Sequence, residues 1–498
     1  MDQGVAALAG PAVVPRRRLI LAASLMATFM PAVESTIVAT AMPTIVGDLG
    51  GFRLFSWVFA MPLLTMAVTI PLYGRLADLY GRKRIFFIGT SIFLVGTTLC
   101  GFARSTEMLI LLRALQGCGS GAIQPIALTI LGDIYTPAER AKVQGLSSSV
   151  FGIAAVVGPA LGAFLVEHVH WSVVFWVNLP VGLISIAMFA LFFDERVQRR
   201  EHRIDWLGGV LLVVGVGALM LALVQAVRLS DWQLVALIAI GAAALGWLGV
   251  HEHRTPEPMM PLDLWLRRVL ALSNLAGFGA SATYMAVSAL LPLYVQGVMG
   301  GSPGLAGFAV GAASVSWMFA AIIAGRLMIR TTYRLTATIG GLSLLAGSLM
   351  LTGLAPDASM VLVVGGSFVL GIAMGFCNTT FIVAIQASVG RHERGVATGS
   401  QMFMRMLGMS SGAALFGAIV NFGVHRRLPG SDDAANKLLL PVLRQGLGSD
   451  ETVRLADAVA QSAHYAFIAA VVLATVTLML TLAFPKGLSP TRSVGRQG

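Results

Sequence analysis

A handful of ionisable side chains stand where this apolar sequence tolerates charge least. Glu34 lies inside the first long apolar run, in Val33-Glu34-Ser35-Thr36-Ile37-Val38, and Arg113 lies inside the fourth, in Leu111-Leu112-Arg113-Ala114-Leu115-Gln116-Gly117. An ionised group at the centre of a bilayer costs about 3 kcal/mol on insertion scales, and burial of a carboxyl favours its protonated form. Glu34 is therefore a candidate proton carrier. A permanent ion pair with Arg113, the available cation, is the other reading, and the two are compatible if the pair opens during a working cycle. Pro31 and Pro43 flank the acid, each removing a backbone hydrogen bond and permitting a bend.

A second group of charges sits in Gly74-Arg75-Leu76-Ala77-Asp78-Leu79-Tyr80-Gly81-Arg82-Lys83-Arg84, read as a short basic turn with a charge-free run on either side, Leu54 to Gly74 and Ile85 to Ala103. Each run is long enough to cross a bilayer. Asp78, a lone acid among four cations, is suited to pair with one of them or with a helix N-terminus. Asp133, at the end of the fourth run and followed by Pro137 and Arg140, is within reach of that turn. Small residues at Gly117, Gly119 and Gly121 let another helix approach closely, whereas Arg113 needs an acid or a carbonyl.

The elements that position these groups follow from composition. Of 498 residues 56% are hydrophobic and 11% charged, against about 25% charged in an ordinary soluble domain, so the chain reads as an all-α integral membrane protein. The 34 Lys and Arg against 23 Asp and Glu fall in short loops rather than one patch, which points to topology and away from nucleic acid. Cys100, Cys118 and Cys377 have neither metal-site nor disulfide spacing. Arg16 to Arg18 and Ala39-Thr40-Ala41 mimic a signal peptide, but the run is too long and holds Glu34, so an uncleaved first helix is expected.

Fourteen long apolar spans are counted: 19–47, 54–74, 85–103, 108–132, 143–166, 171–193, 206–227, 232–250, 269–296, 303–325, 335–355, 358–389, 395–424 and 463–485. Placing both termini in the cytoplasm puts 24 of the 34 Lys and Arg on that face and eight on the other, as the positive-inside rule requires. The expected organisation is a cytoplasmic tail 1–18, a six-helix bundle 19–193, a linker 194–268 holding two extra helices, a second six-helix bundle 269–485 with an external, in part helical loop 425–462, and a tail 486–498. Residues 269 to 325 carry no charge, and Gly297, Gly300, Gly301, Pro303 and Gly304 divide them. A 6+2+6 plan implies an internal repeat. A worn copy of the first turn stands at Gly325-Arg326-Leu327-Met328-Ile329-Arg330, with Ile329 in place of Asp78.

The Gly74–Arg84 stretch resembles the signature loop between helices 2 and 3 of the major facilitator superfamily. Gly158-Pro159 with Gly145, Gly152 and Gly162 resembles the antiporter motif of facilitator drug exporters, with Ala154 and Ala163 standing where that family usually has glycine; an ordinary kinked packing helix would show the same residues. With Glu34 to Val38 and the Arg113 segment, these motifs resemble the fourteen-helix drug:proton antiporter branch, from about Arg18 to Pro485, although its first-helix acid is usually Asp. The resemblance implies the major facilitator fold of two six-helix bundles plus two extra helices, proton coupling through Glu34 and Arg113, and a gate network of Gly74, Asp78, Gly81, Arg82 and Asp133 that locks the cytoplasmic side. Arg405 with Gly408 and Gly412 resembles a motif in the thirteenth helix, where Arg405 would bind, couple or pack.

The expected function is proton-driven export of hydrophobic or cationic drugs across the cytoplasmic membrane, conferring antibiotic resistance, by a monomer that needs a proton gradient and no cofactor or metal. The 23 methionines suit a promiscuous cavity. Candidate lining residues are Met26, Met30, Met285, Met404, Tyr284, Phe376 and Phe381, with Gln124, Asn274, Asn378, Gln401 and Arg405 as polar contacts. Glu34, as the only mid-span acid, favours cationic or neutral amphiphiles over anions. Alternatives are a dedicated exporter of an endogenous metabolite, lipid or siderophore, and a proton-coupled uptake symporter. Hydrolase, zinc-protease and ATP-binding motifs are absent, so an enzyme is not signalled.

Overall fold

The computed structural model describes residues 13–49, 55–195, 205–225, 229–255, 261–355, 358–428, 449–486 and 488. The described chain is helical from end to end. Its elements are α1 (Val13–Leu49), α2 (Phe55–Tyr80), α3 (Arg82–Cys100), α4 (Thr106–Ile134), α5 (Pro137–His168), α6 (Val173–Trp176), α7 (Asn178–Phe192), α8 (Trp206–Gln225), α9 (Asp231–Glu252), α10 (Leu262–Trp265), α11 (Arg268–Leu293), α12 (Pro303–Arg330), α13 (Tyr333–Thr352), α14 (Met360–Ser388), α15 (Arg394–Arg427) and α16 (Ser449–Leu482).

Within the described residues each of the fourteen apolar stretches lies largely on helix, and residues 54 and 226–227 of those stretches fall outside the described residues. Among the described residues, twelve helices are long and apolar enough to cross a membrane, so the chain is a multi-pass membrane protein; α4, which carries Arg113, and α8, whose apolar run covers Trp206–Ala222, fall outside that measure. The tails 1–12 and 489–498, and residues 429–448 of the expected external loop, lie outside the described residues. The described ends of that loop are helical: α15 continues to Arg427, and α16 starts at Ser449.

Local chemistry sets the helix ends. Ser105 accepts the Met108 N–H to start α4, and Thr136 with Glu139 forms a capping box over α5, with Pro137 in the first turn. The charge-free 269–325 segment divides where expected. A π turn over Tyr294–Val298 ends α11, Gly300 takes φ 68, a value that glycine adopts without strain, and Ser302 caps α12. One expectation changes in form. Most of Gly74–Arg84 is not a turn but the last two turns of α2, because Arg-Leu-Ala-Asp-Leu-Tyr holds no helix breaker until Gly81, at φ 94.

Contacts divide the chain into two compact units. One holds 1–218, 239–267 and 385–403; the other holds 219–238, 268–384 and 404–498. In the first, α4 packs between α2 and α3 and α1 lies along α5. Gly119 allows α4 to lie close against the α3 backbone, since a Cβ there would meet the Gly89 carbonyl and the backbone of Phe93. In the second unit α16 packs on α11 and α13, and α15 lies on α11 through Gly408 and Gly412, seated on Phe278 and Ala282.

The two units solve one capping problem in two ways. At the start of α3, the Glu195 carboxylate, which follows α7, accepts the Arg82 and Lys83 N–H groups at 2.8 Å each. At the start of α13, the Leu488 carbonyl, which follows α16, accepts the Tyr333 N–H at 3.1 Å. The charged version belongs to the Asp78 copy of the repeated stretch and the neutral version to the Ile329 copy.

Candidate functional site

Glu34 and Arg113 form an ion pair. Residues 34 and 113 are 4% and 5% exposed, among Val33, Ile37, Val38, Val58, Leu109 and Phe175. Arg113 Nη1 also donates to Gln116 Oε1 at 2.8 Å, Nε donates to the Val58 carbonyl at 3.4 Å, and the guanidinium lies 6.0 Å from the Phe175 ring centre. The pair occupies the α4 N-terminal part of the first unit, about 10 Å of helix from Thr106, away from the Asp78 end. Besides Glu34, the Arg113 guanidinium has the Gln116 amide oxygen and the Val58 carbonyl as acceptors. Gln116, one helical turn from Arg113, was legible as a neighbour; Val58 and Phe175 carry no polar side chain to mark them.

The second cluster gathers at the opposite end of α2 and α4. Arg82 is its hub: Nη2 donates to Asp78 Oδ1 at 3.0 Å, Nε lies 3.0 Å from Asp133 Oδ2, and Nη1 lies 3.9 Å from Glu195. The Arg391 carbonyl accepts from the same guanidinium. Asp78 in turn accepts the backbone N–H groups of Gly395 at 3.0 Å and Val396 at 2.8 Å, so it caps the N-terminus of α15. Asp133 holds Arg394 at 2.9 Å and Arg391 at 3.6 Å. Gly74 is needed here because any Cβ would press on the Gly395 carbonyl.

Further ties bind the 385–403 segment to this end of the first unit. Gln386 donates to the Leu128 carbonyl at 3.1 Å, Arg140 donates to the Gln386 carbonyl at 3.3 Å, and Arg267 grips Glu393 through two bonds of 2.9 and 3.0 Å. The structure thus brings Gly74, Asp78, Gly81, Arg82 and Asp133 together. Sequence reasoning missed Glu195, Gln386, Arg391 and Arg394. No local spacing links residues 113 to more than 300 positions apart.

On α5, Gly152, Gly158 and Gly162 are buried and Pro159 is exposed. Gly158 and Gly162 receive Thr36 and Ile37 of α1, and the Thr36 hydroxyl donates to the Ala154 carbonyl at 3.0 Å. The motif therefore fixes α1 half a turn from Glu34. Gly158→Leu is expected to destabilise the protein by about 1–3 kcal/mol through overpacking against Thr36, and Gly158→Ala by less. Thermal unfolding in detergent reads this, and an unchanged midpoint for the leucine variant would remove the close-packing argument.

The remaining candidates are dispersed. In the first unit Met30 and Gln401 are buried and Met26 and Gln124 half-buried, with Met30 in the packed core beside Phe93 and Leu94. In the second, Tyr284 meets Trp317 edge-on at 5.5 Å, Phe376 packs on Ala320 and Ala324, and Phe381 stacks on Phe484 at 5.9 Å. Asn274 is buried, and Met285 and Met404 are half-buried. Arg405 Nη1 lies 3.4 Å from Asn378 Oδ1, both residues buried.

Known proteins share this sequence and this fold. Residues 24–413 match the family profile described as Major Facilitator Superfamily. "Multidrug resistance protein 3" of Bacillus subtilis is 31% identical over 483 residues, 93% of this chain and 94% of its own. "Multidrug transporter protein MdtP" of the same organism is 34% identical over 409 residues, 82% and 76% of the two chains. The crystal structure of the human organic anion transporter MFSD10 (TETRAN) superposes with a TM-score of 0.66 at 13% identity, over 93% of this chain and 99% of that one, a likeness of fold alone. With most of its length matched by the family profile and by a full-length relative, this chain belongs to the major facilitator superfamily of membrane transporters.

Proposed function

We propose that the protein is a proton-coupled exporter that moves amphiphilic drugs and toxic compounds, hydrophobic or cationic ones among them, out across the cytoplasmic membrane by alternating access. The observation that carries this reading is the buried Glu34–Arg113 pair, an acid among apolar side chains with a cation that keeps other acceptors when the acid is protonated. The names of the bacterial relatives, a multidrug resistance protein and a multidrug transporter, support the breadth of cargo.

In this reading α4 and α8 join the twelve apolar helices as spans, giving fourteen in a 6+2+6 plan, and both termini are cytoplasmic. The protein works as a monomer. Glu34 takes a proton from outside, Arg113 shifts onto Gln116 and Val58, and the proton leaves inward after cargo has been released. The Asp78, Arg82 and Asp133 cluster, by holding the start of α15, keeps the cytoplasmic end closed for part of the cycle. Detachment of 385–403 opens that end.

Proteoliposomes of the purified protein, given an imposed pH gradient and a fluorescent lipophilic cation, test the proposal. Gradient-dependent accumulation with stoichiometric proton counterflow, abolished by nigericin, is expected. Uptake indifferent to the gradient would end the antiport reading. A panel in which a single compound moves would replace broad export with a dedicated one.

A further inference from the structure

We infer that the Arg334 end of the second unit is a seat for anionic phospholipid headgroups; the inference needs the membrane-spanning fold alone and stands apart from the direction of transport. Three helices of this unit carry exposed apolar stripes that end in cations. On α12, Val315, Phe319 and Ile323 are exposed at helical spacing, and Arg326 and Arg330, also exposed, continue the stripe to the helix end. On α16, Val472, Val476, Met479 and Leu482 are exposed, and an exposed Lys486 follows one turn later. On α13, the exposed Leu335, Leu342 and Leu349 stand two turns apart, and Arg334 adjoins the first of them. Such stripes lay hydrocarbon against acyl chains and carry long cationic side chains to the level of the phosphates.

Hydrogen bonds tie these ends together. The Tyr333 N–H at the start of α13 donates to the carbonyl of Leu488, two residues beyond Lys486, at 3.1 Å. Arg268, at the start of α11, donates from Nη2 to the Ala483 carbonyl just past α16, also at 3.1 Å. Only Thr331, Thr332 and Tyr333 separate Arg330 from Arg334. Arg268, Arg326, Arg330, Arg334 and Lys486 therefore share one end of the unit. The acids stand elsewhere. Among the described residues α11, α12, α13 and α14 hold none, and those of α16 are Asp450, Glu451 and Asp457, the last about 38 Å of helix from Leu482.

The first unit fills the corresponding place from its own chain. There the Glu195 carboxylate closes the start of α3 beside Arg82 and Lys83. In the second unit the Leu488 carbonyl takes that position and brings no charge. Arg334, in the first turn of α13, adds a cation where the helix dipole is already positive. A phosphodiester supplies from the bilayer the anion that Glu195 supplies from the chain, and the arginine forks suit its paired oxygens. The apolar stripes that lead into the cations favour a lipid over a soluble anion, because a lipid occupies the stripe and the cations at once.

The test is lipid binding by the full chain in detergent, titrated with phosphatidylglycerol or phosphatidylcholine and read by native mass spectrometry. The wild type is expected to hold phosphatidylglycerol about tenfold more tightly. R326Q/R330Q/R334Q is expected to lose that preference, and R326K/R330K/R334K to keep most of it. A second triple variant, R18Q/R84Q/K142Q, removes three exposed cations of the first unit and is expected to bind as the wild type does. Equal affinity of the wild type for the two lipids overturns the proposal. So does an equal loss in the two glutamine variants, since overall charge would then account for the preference. Displacement of the lipid by an equal concentration of soluble glycerophosphoglycerol also overturns it, because the cations would then hold a soluble anion. Should the first glutamine variant fail to fold, R330Q and R334Q are measured singly; each is expected to lower the preference about threefold, and wild-type preference in both overturns the proposal.

Discussion

On the exporter reading proposed above, Glu34→Gln is expected to abolish gradient-driven export, lowering the initial rate by about a hundredfold while leaving folded protein and exchange of substrate for substrate in the absence of a gradient. The amide oxygen still accepts from Arg113, so the helix contacts persist, but the site can no longer trade a cation for a proton. Arg113 then stays an uncompensated charge through the whole cycle. At about 3 kcal/mol for such a charge in the membrane, the barrier that includes it rises enough for two orders of magnitude in rate. Glu34→Asp, shorter by one methylene, restores the charge with poorer reach and is expected to recover part of the rate. If the glutamine variant remains coupled to the gradient, Glu34 is a structural partner of Arg113 and coupling resides elsewhere, with Asp133 the next acid to test.

Asp78→Asn is expected to have the next largest effect, at least about tenfold on turnover. The carboxylate carries three charge-assisted hydrogen bonds, one from Arg82 and two from the N-terminus of α15. Bonds to a charged acceptor are about twice as strong as neutral ones, and an anion at a helix N-terminus adds up to about 2 kcal/mol when partly buried. Their loss weakens the hold on 385–403 and shifts the balance of conformations by more than tenfold. Hydrogen exchange gives a direct readout. The amides of Gly395 and Val396 should lose protection in the variant, and wild-type protection alongside wild-type turnover would sink the capping argument.

Charge inside apolar runs was the legible part of the sequence. It is rare and costly, so Glu34, Arg113, Asp78, Arg82 and Asp133 stood out singly, and the apolar spans located every long helix. Helix lengths were less legible, because hydropathy ends at the first charges while backbone hydrogen bonding does not: α2 runs on through Arg75 and Asp78 to Tyr80, and α16 begins well before its apolar core. The partners were the least legible. Glu195 looked like one charge among many in a linker, and Arg391 and Arg394 like ordinary topology signals, since their meaning depends on contacts across more than a hundred residues. The lining candidates were chosen by residue type, which does not report the face a side chain occupies; Met30 and Phe381 pack into cores.

The exchange of charged caps between α3 and α7 also sets a clock. Glu195 closes the start of α3, and the Lys83 ammonium closes the end of α7 on the carbonyls of Ala190 and Phe193. The two partners are 113 positions apart along the chain, so at usual speeds of synthesis α3 waits roughly 6 to 23 seconds for its cap. Throughout that interval Arg82 has Asp78, and later Asp133, as its carboxylate partners. The ribosome has to deliver Glu195 before the first half of the transporter can finish assembling, and a nascent chain stalled short of that residue leaves the hub arginine without one of its carboxylates.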